Sequence, residues 1–207
     1  KFQLICVNLA GNSKPLVFPP QETLAGEPSQ PQNVRISSIQ ARQVFVEWDE
    51  PVVKNGPIDG YTLTAIVVGE NNPLPHTTLG SGTSTVYGVL TPYTTYRISI
   101  QAFNNNPIEG RRFSVESLPS EHFTTSEAAP GEPGGLTVVN TLTECIISWG
   151  KPSEQNGVIT KYTLYIEILK MGTDVVDKTE IKEVPGSQLQ ITFLKAELAP
   201  FSIFRYS

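Results

Sequence analysis

The chain has 207 residues, enough for one or two domains, and is 39% hydrophobic and 17% charged, which excludes an intrinsically disordered composition. Its formal charge of −5 argues against nucleic acid or an anionic membrane as the main partner, since both select basic surfaces. No apolar run approaches the roughly 20 residues of a membrane-spanning helix, and 17 Pro and 16 Gly against one Met favour many short strands and turns.

In chain order, the first residues read KFQLICVNLAGNS. Polar Gln3 and Asn8 interrupt the apolar core that a secretory leader needs, so strands are expected there. With no initiator Met, the chain is expected to begin inside a larger protein. VRI, VFVEW, YTLTAIVV and YRISIQAF follow, then LTVV, CIISW, YTLYIEI and LQITF. Each alternates apolar and polar residues with period two and is rich in Val, Ile, Thr and Tyr, as half-buried strands are. Between them stand turn formers: KNGP, GENNP, LGSG, NNNPIEG, PGEPGG, EQNG and VPGS. His76 falls in a stretch read as a loop. Only KAELAP, near the C-terminus, hints at helix, and it is short and bounded by Pro200. The expected fold class is all-β.

The chain repeats itself. Trp48, Pro51, Asn55, Gly56, Ile58, Tyr61, Thr62 and Leu63 return as Trp149, Pro152, Asn156, Gly157, Ile159, Tyr162, Thr163 and Leu164, always 101 residues on. Pro31, Val34 and Ile36 answer to Pro133, Leu136 and Val138, and Leu90, Pro92 and Tyr96 to Leu198, Pro200 and Phe204. The second copy is longer in the middle, where TDVVDKTEIKEVPGS is expected to be an extended loop or strand pair. Within each copy the repeated stretch has a physical reading. Val44, Val46 and Trp48 share one strand face, and burying Trp48 stabilises by about 1.5–3 kcal/mol or more. Pro51 ends that strand because it has no N–H to donate. Asn55-Gly56 permits a turn with positive φ.

Pro31, Trp48, Pro51, Gly56 and Tyr61, followed by Leu90, Pro92, Thr94, Tyr96, Ala102 and Asn104, together resemble the fibronectin type III domain, and the second copy repeats much of the pattern. The resemblance implies tandem immunoglobulin-like, seven-stranded antiparallel sandwiches. It divides the chain into residues 1–25, the C-terminal strands of one domain; residues 28–126, a complete domain; and residues 129–207, a domain lacking its last strands. The array is thus read as truncated at both ends. Phe2, Leu4, Cys6 and Asn8 then align with Ile98, Ile100, Ala102 and Asn104. The expected structural core is Trp48, Tyr61, Leu90, Tyr96, Trp149, Tyr162 and Leu198, with Tyr96 as the corner tyrosine. Phe204 stands at that corner in the last copy, where losing the hydroxyl bond costs about 0.5–1.5 kcal/mol.

Cys6 and Cys145 align with core positions and are expected to be buried thiols in different domains, which leaves the redox compartment, and any pairing beyond the chain ends, open. His76 and His122 lie far apart without clustered acids, so no catalytic, metal or cofactor site is expected, and GSG lacks the strand-to-helix setting of a phosphate loop. The loop after the sixth strand carries Asn105, Asn106, Arg111 and Arg112 as candidate protein-contact residues; the Arg-Gly-Asp tripeptide that some members carry there is absent. The turns at residues 52–54 and 153–155 and the insert after Met171 are further places where the copies differ. No Asn begins an Asn-x-Ser/Thr sequon.

The resemblance implies a non-catalytic interaction and spacer module in the ectodomain of a membrane-anchored adhesion or receptor protein, with other proteins as partners and neither nucleic acid nor a small-molecule substrate. A structural array in an intracellular sarcomeric protein is the alternative. A third reading makes these domains the positioning ectodomain of a receptor tyrosine phosphatase whose catalytic domain lies elsewhere.

Overall fold

A computed structural model describes residues 2–20, 23–169, 176–194 and 203–206. The chain forms two compact units that part between Phe123 and Thr124, the second also taking in residues 39–43 and 88–94.

The first unit begins with a small nested hairpin. β1 (Gln3–Leu4) pairs with β4 (Leu16–Val17), and β2 (Val7–Asn8) with β3 (Gly11–Asn12). Eight more strands follow: β5 (Gln32–Ser37), β6 (Val44–Asp49), β7 (Gly60–Val67), β8 (Pro73–Leu79), β9 (Ser84–Tyr87), β10 (Thr95–Asn106), β11 (Gly110–Phe113) and β12 (Phe123–Thr124). They make one sheet in the order β5-β6-β9 and another in the order β11-β10-β7-β8, with β12 also on β10. Alternation decides which face each strand buries. β6 buries Val44, Val46 and Trp48; β7 buries Tyr61, Leu63 and Ala65; β10 buries Ile98, Ile100 and Ala102. Trp48 and Tyr61, from different sheets, meet edge to face with ring centroids 4.9 Å apart. Leu90 and Tyr96 are also buried, and Tyr96 stacks with Phe123 at 6.1 Å.

The outer edge of β10 is closed unconventionally. The N–H groups of Ala102, Ile100 and Ile98 donate to the hydroxyls of Ser114, Ser117 and Ser120, each at 3.0 Å. The three serine N–H groups return bonds of 2.8 Å to the carbonyls of the same residues. The segment therefore steps in threes, the period of a polyproline II chain, while β10 steps in twos. Hydroxyls take the acceptor role that a neighbouring strand's carbonyls would play, and Pro119 fits because no N–H is asked of it. All three serines are buried.

The second unit contains β13 (Gly134–Asn140), β14 (Glu144–Gly150), β15 (Lys161–Leu169), β16 (Val176–Pro185), β17 (Gln190–Leu194) and β18 (Ile203–Tyr206), in sheets β13-β14-β17 and β16-β15-β18. Its core holds Cys145, Ile147, Trp149, Tyr162, Leu164 and Ile166. Trp149 and Tyr162 repeat the edge-to-face contact at 5.5 Å. Even an irregularity repeats: the β5–β6 register shifts between Gln32 and Arg35, and the β13–β14 register between Gly134 and Thr137.

Several expectations change. Cys6 is exposed while Cys145 is buried, because among the described residues no sheet covers the hairpin that carries Cys6. His76 lies on β8, not in a loop, with its ring 5.6 Å from that of Tyr87. In the insert, residues 176–185 form one long strand, because β16 pairs with β15 along its length. Leu198 and KAELAP lie outside the described residues, as does the side chain of Phe204.

The serine closure predicts that Ser117→Ala, which strands the buried Ile100 N–H, destabilises the first unit by about 1–3 kcal/mol in urea unfolding. Trp48→Ala is expected to cost about 3–5 kcal/mol in the same measurement.

Candidate protein-contact surface

The sequence between β10 and β11 is a tight hairpin, not a long loop. Phe103 pairs with Phe113, Asn104 with Arg112, Asn105 with Arg111 and Asn106 with Gly110. Asn106 makes the turn: its side-chain oxygen accepts the N–H groups of Ile108 at 2.9 Å and Glu109 at 3.1 Å, an Asx-type cap. Its amide donates to the carbonyl of Ala25 at 3.0 Å. Asn106 is therefore buried, and its side chain is engaged within the hairpin and with Ala25.

The other candidates divide. Asn105 is exposed, and its backbone N–H is held by Asp59 at 2.7 Å. Arg111 is exposed and lays its guanidinium 4.5 Å from the centroid of the Phe103 ring, a cation–π contact that orients the charge. Gly60 makes room beneath, since a Cβ there would stand 2.5 Å from Phe103. Arg112 is half-buried and bridges Glu27 at 3.1 Å and Glu109 at 3.2 Å. Arg111 thus carries the hairpin's outward positive charge, while two carboxylates offset Arg112.

Asn104, fully buried, ties the hairpin to the turn after β6. Its amide donates to Lys54 O at 2.7 Å and Gly26 O at 2.9 Å. That turn is itself a clamp. Gly26 N–H donates to Asn55 O at 2.9 Å, Ser29 N–H to Val53 O at 2.7 Å, and the Asn55 amide to Glu27 O at 2.6 Å. A Cβ on Gly56, whose φ is +143°, would meet Ala25 at 2.8 Å. The second unit repeats the device. Ala128 N–H donates to Asn156 O at 2.9 Å and Gly131 N–H to Glu154 O at 2.8 Å, and the Asn156 amide donates to Ala129 O at 2.8 Å. Asn55 and Asn156 both take positive φ, so Asn-Gly makes the turn and holds the segment entering the repeat. In the first unit, residues 25–27 are thereby tied to the sheets ahead of Pro28, where the domain was expected to begin.

Sequence reasoning named the turn at residues 52–54 and the hairpin separately; the structure joins them through Asn104. Val52, Val53 and Ile108 remain exposed on these two segments, which also carry Arg111 and the Lys54–Glu50 pair at 2.7 Å. Exposed apolar groups with an oriented Arg suit a protein partner. Asn104 and Glu27 carry no local sequence signal for these roles, because their partners are distant in the chain. On β6, hydrogen bonds from Asn33 and then Arg35 hold the Asp49 carboxyl below its ordinary pKa.

A family model described as "Fibronectin type III domain" matches residues 29–116. The chain is 32% identical over 192 residues to usherin of Homo sapiens, covering 88% of this chain and 3% of usherin. It is 32% identical over 188 residues to protein sidekick-2 of Gallus gallus, covering 87% of this chain and 8% of that protein. It is 31% identical over 150 residues to cell adhesion molecule DSCAML1 of Mus musculus, covering 69% of this chain and 7% of that protein. The chain therefore spans less than a tenth of each of these relatives.

Gly56→Ala is expected to lower the melting temperature of the first unit, because the new methyl meets Ala25 in a left-handed conformation, and Gly157→Ala to do the same in the second, where it meets Glu127 at 2.8 Å. For Asp49, the lowered folded pKa contributes stability that is complete above the ordinary value of 3.8 and is lost as pH falls through the folded value. Asp49→Asn should flatten the acid limb of a stability-versus-pH profile and leave the neutral limb's shape unchanged.

Proposed function

We propose, for a chain whose residues 29–116 match the fibronectin type III domain, a non-catalytic role as a protein-binding and spacing segment of a cell-surface adhesion protein or receptor. The observation that carries this reading is the similarity of 69% of the chain to a protein described as a cell adhesion molecule. The end of the first unit built from the β10–β11 hairpin and the turn at residues 52–54 is the proposed contact surface, with Arg111 and Asn105 as its exposed polar groups and Val52 and Ile108 as its apolar ones. Arg112 supports that surface through Glu27 and Glu109. The whole protein, in this reading, displays the segment outside the cell from a single membrane anchor, and any catalysis it has resides in another region.

Cell attachment to surfaces coated with the 207-residue chain tests this. Attachment above that on an unrelated β-sandwich protein is expected, with a several-fold loss on Arg111→Glu at an unchanged melting temperature. Attachment no greater than on the unrelated protein, or indifferent to Arg111→Glu and Ile108→Asp alike, would overturn the assignment of this surface.

A further inference from the structure

The two Asn-Gly turns are built alike but guarded differently. In both, the Asn takes positive φ, +50° at Asn55 and +52° at Asn156. In both, its carbonyl and its side-chain amide hold the segment entering the repeat. Gly26 N–H donates to Asn55 O and Ala128 N–H to Asn156 O, each at 2.9 Å. The amides donate to Glu27 O at 2.6 Å and to Ala129 O at 2.8 Å. These bonds make Ala25 and Glu127 structural counterparts, and each is what a Cβ on the turn's glycine would meet at 2.8 Å. Their side chains differ in kind. Glu127 lies over Gly157, and its carboxylate accepts the Val158 N–H at 3.0 Å. In the first unit a methyl stands in that place. Pro57, the counterpart of Val158, has no N–H with which to hold a carboxylate there. Asn55 is exposed, whereas Asn156 is half-buried.

The difference bears on a reaction whose only co-reactant is water. In an Asn-Gly pair the glycine nitrogen, unhindered by a side chain, can lose its proton and attack the Cγ of the asparagine. The bond from Cγ to the amide nitrogen breaks, ammonia leaves and a five-membered succinimide remains. Water then adds to one of the two ring carbonyls and opens it to aspartate or isoaspartate. A carboxylate beside the glycine N–H disfavours the anion that attacks, because like charges repel. A side chain packed over the glycine also hinders approach. Glu127 does both at Asn156; nothing equivalent stands over Gly56 among the described residues.

We propose that Asn55 is a site of spontaneous deamidation, and that the change releases residues 25–29 from the turn. The N–H group that reaches Glu27 O is replaced by a carboxylate oxygen, which cannot donate and repels that carbonyl. Three further bonds lie along the same short contact: Gly26 N–H to Asn55 O, Ser29 N–H to Val53 O at 2.7 Å, and Val53 N–H to Ser29 Oγ at 3.0 Å. Isoaspartate adds a main-chain carbon to a turn whose length these bonds fix. Once the segment leaves, the amides of Asn104 and Asn106 lose the carbonyls of Gly26 and Ala25. Where the hairpin binds a partner as proposed above, binding then weakens with the age of the molecule; the release itself does not rest on that reading.

Incubation of the 207-residue chain at mildly alkaline pH, followed by peptide mass spectrometry, tests the site. Conversion of amide to acid is expected several-fold faster at Asn55 than at Asn156. Glu127→Gln keeps an oxygen for the Val158 N–H and removes the charge. It should speed conversion at Asn156 several-fold and leave Asn55 unchanged. Residue-resolved amide hydrogen exchange tests the consequence. In the chain converted at Asn55, and in Asn55→Asp, exchange at Gly26 and Ser29 is expected to quicken several-fold, with Ala128 and Gly131 unchanged. Equal conversion at the two asparagines, or an Asn156 rate indifferent to Glu127→Gln, would overturn the assignment of the site. Unaltered protection of Gly26 and Ser29 after conversion would refute the release. Neither readout involves a partner, so failure here is separable from failure of cell attachment.

Discussion

An indole against a phenol holds the two sheets together. Trp48 reaches from the β5-β6-β9 sheet and Tyr61 from the sheet containing β7, and their rings meet edge to face. Neither the indole N–H nor the hydroxyl has a well-aligned hydrogen-bond partner among the described residues. Burial drives the Tyr61 pKa upward, and the neighbouring Trp48 offsets only part of that rise. What the pair contributes is apolar area and quadrupole geometry, enough to fix how two sheets without a disulfide face each other. Trp149 and Tyr162 repeat the arrangement, their polar atoms likewise without partners among the described residues.

That contact fixes where β10 must run, and β10 then decides much else. One edge is bonded to β7; the other is closed by serine hydroxyls, so the chain returns along it without forming a regular strand between β11 and β12. Beyond the core the same strand continues into the hairpin with β11, and Asn104, still on β10, pulls in the turn after β6 and the segment at residues 25–27. The proposed contact surface is therefore the far end of a core strand. Its side chains are held by the sandwich, which keeps the entropy lost on binding a partner small.

The Asn-Gly turn shows how one dipeptide meets two demands. Positive φ at Asn and a missing Cβ at Gly allow the turn, and the same missing Cβ lets the incoming chain pass close enough to bond to it. A Cβ at Gly56 would strike Ala25, and one at Gly157 would meet the Glu127 side chain. The repeated sequence therefore records a contact between the turn and the start of its own repeat, as well as a local bend.

The period-two strands, the repeat, the aromatic pair and the Asn-Gly turns were legible in the sequence, because each rests on residue type and short spacing. So was the existence of an outward-facing feature after the sixth strand. Tertiary structure alone decided that this feature is a hairpin with Asn106 buried and Arg112 neutralised. Asn106 bonds to Ala25 and Arg112 to Glu27, and such distant pairs leave no local pattern. The fate of the cysteines follows the same division. Alignment gave Cys6 and Cys145 equally buried positions, yet only Cys145 has two sheets around it. Alternation along a strand determines which side chains share a face; only the presence of a second sheet decides whether that face is buried.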